Sequence, residues 1–250
     1  MRRRVMAGNW KMYKTAAETT QFFQQFVPLL ESTRHCETII FPPAVNISAA
    51  IAAAAGALEI GGQNIYWERE GAYTGEISAG MLRGVGANWV LIGHSERRQY
   101  FHETDSDVLK KTHAAIEAGL RPIICVGERL EQHKAGQTNA VLIGQFAGGI
   151  AGLTEEQFAK IAIAYEPVWA IGTGQTATPE IASQAHKFIR AEAEKRFGRH
   201  AARDLRILYG GSVKTDNVEG LMNETEIDGV LVGGASLDPQ SLARIVRAAR

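Results

Sequence analysis

Eight short, nearly continuous apolar runs recur along the chain, at positions 4–10, 38–41, 59–64, 89–94, 122–127, 161–166, 206–209 and 229–232. Runs this short and unbroken suit parallel strands buried on both faces, not the alternating pattern of a half-solvated sheet. Between them apolar residues return every three or four positions. Phe23, Phe26, Val27 and Leu30 form one such helical stripe. Ile181, Ala185, Phe188 and Ile189 form another, preceded by Thr178 and Pro179, an N-cap followed by proline at the first helical position. Asp238 and Pro239 repeat that signal ahead of Leu242, Ile245 and Val246. Eight strands in 250 residues make a unit of about 31 residues, the size of a strand–helix repeat. No interior stretch is rich enough in Pro, Gly or Ser to act as a domain linker. The pattern predicts an α/β fold in which eight parallel strands close into one (β/α)8 barrel, a single domain over residues 1–250, in preference to two doubly wound halves.

Composition then narrows the class of partner. Lys plus Arg and Asp plus Glu number 27 each, so nothing suggests a nucleic-acid groove or an acidic membrane surface. A substrate anion has to be held by a local site. Cys36 and Cys125 form no CxxC or Cys/His cluster, which argues against zinc and for two reduced thiols in a cytoplasmic protein. Arg2, Arg3 and Arg4 resemble the start of a signal peptide, but Asn9, Lys11 and Lys14 interrupt any apolar core after them. No apolar run approaches the ~20 residues that a membrane-spanning helix needs.

In barrels of this kind the active site lies at the carboxyl ends of the strands. The polar residues at the predicted ends are Asn9 and Lys11, His94 and Glu96, Glu166, Ser212, Gly233 and Gly234. Glu166 ends an apolar run, where partial desolvation would raise its pKa and strengthen it as a base; the plainer reading is an acid that terminates a strand. His94 and Lys11 could converge on one carbonyl oxygen, where each donor aimed at a developing oxyanion is worth roughly 10²–10³ in rate. Taken singly, each reads as a structural histidine and a surface lysine. Glu96 could pair with Lys11 or cap the next helical turn. Tyr209-Gly210-Gly211-Ser212 and Val232-Gly233-Gly234-Ala235-Ser236 follow the seventh and eighth runs, the usual place for a phosphate site made of backbone amides. Tight turns are the alternative. The segment Val168, Trp169, Ala170, Ile171, Gly172, Thr173, Gly174, Gln175, Thr176 and Ala177 is rich in small residues and follows Pro167. It suits a mobile lid with a stiff entrance, or a flexible surface loop.

Five motifs in order, Asn9-Trp10-Lys11, Gly93-His94-Ser95-Glu96-Arg97-Arg98, Ala164 to Gly174, Tyr209-Gly210-Gly211-Ser212 and Gly233-Gly234, resemble the triosephosphate isomerase family over essentially the whole chain. The resemblance implies a TIM barrel that interconverts dihydroxyacetone phosphate and glyceraldehyde 3-phosphate without a cofactor. As an established feature of that enzyme, not a deduction from these residues, it implies Glu166 as the base and neutral His94 as the electrophile. It implies that Lys11 supplies fixed charge, that Asn9 positions the substrate and that Glu96 is held near Lys11. The phosphate is expected on the amides of Gly172, Ser212, Gly233 and Gly234, with Ile171 and Leu231 shielding Glu166, and Tyr209 receiving the lid near Ala177. It further implies a homodimer in which the loop 63–76, through Tyr73, Thr74, Gly75 and Glu76, reaches the partner near Asn9 and Lys11. Two departures stand out: Gln175 where lysine is common in the lid, and Gly80, with no derivable consequence. A different isomerase or lyase on the same barrel would share the phosphate loops but not the combination of Lys11, His94 and Glu166. A non-catalytic phosphate-binding protein would need no base.

Overall fold

The computed structural model describes residues 2–30, 33, 35–172 and 175–249. Its strands are β1 (Val5–Asn9), β2 (Glu37–Phe41), β3 (Glu59–Gly62), β4 (Trp89–Ile92), β5 (Arg121–Val126), β6 (Ala162–Tyr165), β7 (Arg206–Tyr209) and β8 (Gly229–Val232). They pair in chain order and close on themselves, with Val5 opposite both Glu37 and Gly229 in parallel register. Each predicted run therefore holds a strand of a closed parallel barrel, with ends shifted by no more than two residues.

The runs are continuous because both faces of each strand are buried, but the two faces pack against different things. Val5, Ala7, Ile39, Phe41, Trp89, Leu91, Ile123, Cys125, Ala162, Ala164, Leu208 and Leu231 form a closed cluster inside the barrel. Their neighbours, such as Met6, Ile40, Val90, Ile124, Ile163 and Val230, belong to the larger cluster shared with the surrounding helices. The period of two fixes what comes next: Asn9 continues the inward set of Val5 and Ala7, and Glu166 that of Ala162 and Ala164.

The helices start where their caps require. Thr15 and Glu18 form a reciprocal box ahead of the helix Ala16–Phe26. The Thr178 and Asp238 side chains accept from the amides of Ile181 and Ser241, each ahead of a helix that begins with proline. Phe23, Phe26 and Leu30 are buried as expected, while Val27 opens a 3-10 turn and is half-buried. The stripe after Pro179 is corrected by one position. Ile181 is 37% exposed, and the buried face runs through Ala182, Ala185 and Ile189. Ala182 lies at the right spacing from Ala185 and Ile189, whereas Ile181 is rotated by about 100° away. Cys36 and Cys125 are buried free thiols. Among the described residues no helix is long and apolar enough to cross a membrane.

Candidate active site

The residues at the carboxyl ends of the strands converge on the barrel mouth. Asn9 ends β1, and its Oδ1 accepts the amide of Lys11 at 3.0 Å. That bond holds Lys11 at φ +51, a left-handed conformation that costs a non-glycine residue about 1–3 kcal/mol. The Gln63 amide also donates to the Lys11 carbonyl at 2.8 Å. Strain held from two sides aims Lys11 across the mouth, where Nζ lies 2.5 Å from Glu96 Oε1.

His94 reaches the same place by breaking the strand period. Gly93 turns the chain at φ +73, and a Cβ there would lie 2.8 Å from Val108, so only glycine fits the turn. The His94 Nδ1 accepts the Glu96 amide at 3.2 Å, and Nε2 lies 3.0 Å from Glu166 Oε1. Because Nδ1 needs its lone pair for that amide, the neutral ring carries its proton on Nε2, pointing at the carboxylate. Glu96 thus pairs with Lys11 through its side chain while its backbone sets the histidine tautomer.

Glu166 sits just past β6, buried, with its amide donating to the Val126 carbonyl at 2.7 Å. A Cβ on Gly127 would lie 1.7 Å from the Glu166 carbonyl oxygen, so this close approach of β5 to β6 also requires glycine. The second carboxylate oxygen accepts the Ser95 amide at 2.9 Å. Burial alone would raise the Glu166 pKa, as its place in the sequence suggests. His94, the Ser95 amide and Lys11 together outweigh burial and hold it below the usual carboxylate value. The expected rise is therefore overturned in this arrangement. For His94, burial opposes the charged ring, but the Glu166 carboxylate wins and holds its pKa above the ordinary value.

A cavity of about 520 Å³ opens in front of these groups. Asn9, Lys11, His94 and Glu166 form one wall; Ser212, Gly233, Gly234 and Gly172 form the other, and Ile171 and Leu231 border it too. The second wall is fixed locally: Ser236 donates to the Gly233 carbonyl at 2.8 Å and Asn217 to that of Ser212 at 3.0 Å. Val168–Ala170 forms a 3-10 turn after Pro167. Gly172 is exposed and Ile171 half-buried, and both border the cavity. Thr173 and Gly174 lie outside the described residues. Tyr209 faces the Ala177 amide, although its buried hydroxyl makes no hydrogen bond of normal geometry.

A family model described as triosephosphate isomerase matches residues 4–249. The chain is 62% identical over 247 residues to the triosephosphate isomerase of Solibacter usitatus, covering 98% of this chain and 99% of that one. The chain belongs to the triosephosphate isomerase family. It is also 50% identical over 248 residues to the triosephosphate isomerase of Citrifermentans bemidjiense, with 99% of each chain covered. The crystal structure of triosephosphate isomerase from Bartonella henselae superposes with a TM-score of 0.89 at 40% identity, covering 98% of both chains.

Two residues of this triosephosphate isomerase family barrel carry no signal in the sequence that marks them for the site. Gln63 lies in a polar loop, yet its amide ties Lys11 to the Phe41 carbonyl at 2.9 Å. Glu128 lies in Gly127-Glu128-Arg129, which reads as a solvated turn. It is fully buried and accepts from Trp169 Nε1 at 2.8 Å and Tyr165 Oη at 3.1 Å, anchoring the 3-10 turn after Pro167. Tyr73, Gly75 and Glu76 are described in the loop expected at a subunit contact. Gly75 and Glu76 border a cavity of about 300 Å³ that also touches Asn9, Lys11 and Glu96 of the same chain.

Proposed function

We propose that the chain interconverts dihydroxyacetone phosphate and D-glyceraldehyde 3-phosphate by proton transfer through an enediolate, as one catalytic domain and without a cofactor. The observation that carries this is the convergence of Glu166, His94 and Lys11 on one cavity that is also lined by Ser212, Gly233 and Gly234 from the loops after β7 and β8. Glu166 moves the proton between the two carbons. His94, neutral with its proton on Nε2, polarises the carbonyl, and Lys11 places fixed positive charge beside the developing oxyanion. Asn9 positions the substrate and Lys11, and Glu96 holds the Lys11 ammonium in place. The amides of Gly172, Ser212, Gly233 and Gly234 take the phosphate.

The depressed pKa of Glu166 matters to this scheme. A carboxylate resting on the Ser95 amide and His94 is a weak base. It strengthens when it leaves the Ser95 amide for the substrate carbon and stays shielded from water by Ile171 and Leu231, because one of the contacts that oppose burial is then gone. Closure of residues 168–177 over the cavity supplies that shielding. The reaction belongs to glycolysis and gluconeogenesis, and we place it in the cytoplasm.

The test is a coupled isomerase assay on wild type and Glu166→Gln. Turnover should fall by at least ~10²–10⁴, the usual worth of a positioned base, while affinity for a phosphate ligand stays largely intact. Near-normal turnover in the variant would sink the assignment. Another reaction on this barrel, or phosphate binding alone, would show instead as wild type inactive on triose phosphates.

The catalytic unit we propose is a homodimer. Met12, Val45, Met81 and Phe101 are large apolar side chains left exposed, the first of them 93% exposed, and Met12 and Phe101 border the 300 Å³ cavity beside Lys11. The loop tip Tyr73-Thr74-Gly75-Glu76 of a second copy would cover this surface and steady Lys11. Sedimentation should give a dimer at micromolar concentration; a fully active monomer would count against it.

A further inference from the structure

We propose that the arginine cluster at the base of the barrel binds a condensed phosphate, either pyrophosphate or the polyphosphate tail of a nucleotide. β2, β5 and β7 begin with Glu37, Arg121 and Arg206, so these side chains start at the end of the barrel away from the reacting cavity. Arg2 and Arg3 enter just before β1, and Arg203 and Asp204 close the helix Pro179–Asp204. These seven residues line a cavity of about 660 Å³, and every one of them is charged. Five guanidinium groups against two carboxylates leave three positive charges. Asp228, the next acid, is engaged by Arg2 and Arg190. With no apolar side chain in the lining, a ligand is recognised here by charge and hydrogen bonding.

The central arginines are held in place with donors to spare. Glu37 Oε1 accepts Arg121 Nη1 and Oε2 accepts Arg206 Nη1, each at 2.8 Å. Both guanidinium groups lie against the ring of the fully buried Trp89, with Cζ 4.0 Å and 5.2 Å from its centroid. Nε and Nη2 of each have no partner among the described residues. Arg3 spends Nη2 on the Cys36 carbonyl at 3.1 Å, and Arg203 spends Nε on Asp204 at 3.0 Å, so both keep unbonded N–H groups. The carbonyls at the end of the helix, which would repel an anion, are already covered. Arg2 takes that of Arg203 at 3.0 Å, and Arg190 takes those of Ala202 and Leu205 at 2.8 Å and 2.7 Å. Burial and then the Arg121 charge hold the Arg206 pKa below its ordinary value despite Glu37, so one shared carboxylate does not balance the pair. A free Nε–Nη2 edge is a two-pronged donor. A phosphate group offers oxygens in several directions and can take such edges from two arginines, whereas a carboxylate has two oxygens in one plane. One phosphate group brings about two negative charges, so an excess of three positive charges in this volume fits two or more joined phosphates.

The experiment is calorimetric titration of pyrophosphate into wild type, Arg121→Gln and the double variant Arg3→Gln/Arg203→Gln, at low salt and without divalent cations. Any binding at the barrel mouth is common to all three proteins, so the difference between them isolates the base. Pyrophosphate affinity should fall by roughly ten-fold in Arg121→Gln and by at least that in the double variant. Arg121→Gln also breaks half of the Glu37 pairing; the double variant changes only exposed side chains, so it tests the site with the strands intact. ATP as tight as tripolyphosphate assigns the site to nucleotide tails, and weaker ATP assigns it to free condensed phosphate. Equal pyrophosphate affinity in wild type and the double variant overturns the proposal, and so does triglutamate binding as tightly as pyrophosphate. None of the substituted residues borders the reacting cavity, so the result stands whatever reaction that cavity performs.

Discussion

The two walls of the 520 Å³ cavity are held in different ways. The wall from β1, β4 and β6 is built of side chains: Lys11 joined to Glu96 at 2.5 Å and His94 to Glu166 at 3.0 Å, each pair spanning distant parts of the chain. The wall after β7 and β8 comes from loops, lined by Ser212, Lys214, Gly233, Gly234, Asp238 and Ser241, with Gly233 and Ser212 each fixed by a hydrogen bond from three to five residues away. The first wall buries charge, bends Lys11 into a strained conformation and depends on protonation. The second is held by local hydrogen bonds that need no partners brought from afar. On the function proposed above, the barrel mouth would hold the phosphate on these local loops and reserve its long-range side-chain contacts for the part of the substrate that changes.

Lys11→Met gives the strongest way to break this contrast. Methionine keeps the stem and removes the cation, so a charge-delivering lysine predicts loss of nearly all activity, at least ~10²–10³ in turnover. Lys11→Arg should keep a little, since its charge is placed differently. Because the loop wall is untouched, inorganic phosphate should still compete for the site. Wild-type turnover in Lys11→Met would reduce Lys11 to a surface lysine.

The same contrast explains what the sequence reveals. The strands are legible because a closed barrel buries both faces of each, and this leaves unbroken apolar runs. Asn9 and Glu166 are legible because each is the polar residue that ends such a run on the inward parity, and the glycine pairs after β7 and β8 because local backbone geometry is written locally. What depends on contacts between distant residues is not. Gln63 reaches Lys11 across 52 positions and Glu128 reaches Trp169 across 41, and neither distance leaves a mark in the chain. The direction of the Glu166 pKa fails for the same reason. Burial is inferable from an apolar run, whereas His94, the Ser95 amide and Lys11, which together reverse its effect, come from distant parts of the chain, the amide from 71 residues away. Ile181 misleads differently: a bulky residue beside a helix start looks like core, and the smaller Ala182 holds the buried position.

Gly233→Ala probes the loop wall. The added Cβ would lie 3.5 Å from Lys11 Cε, an ordinary contact, so the fold should tolerate it while the methyl crowds the space beside the amides. A wall that grips only phosphate predicts a KM higher by roughly ten-fold with kcat within about three-fold, the pattern of lost uniform binding. A collapse of kcat instead would mean that the two walls are coupled and the division drawn here is wrong.

The smallest effect is the most direct test of the side-chain wall, because it reads a charge and not a rate. Burial pushes the His94 pKa down and the Glu166 carboxylate pushes it up, and here the carboxylate prevails. Replacing Glu166 with Gln removes the larger upward push and leaves only Glu96 against burial and Lys11, so the His94 pKa should drop in Glu166→Gln. The sign for stability follows from the same shifts. A histidine raised above its unfolded value contributes stability that is complete below about pH 6.5 and is lost as pH rises through its folded pKa. Glu166, depressed, contributes stability present above about pH 4.5 and lost as pH falls through its own lower value. The pair therefore stabilises the wild type most between those limits, and the variant should lose that weakly acidic maximum in a denaturation series. The measurement is the His94 ring titration by NMR in both proteins. An unchanged pKa would show that the 3.0 Å contact carries no charge coupling.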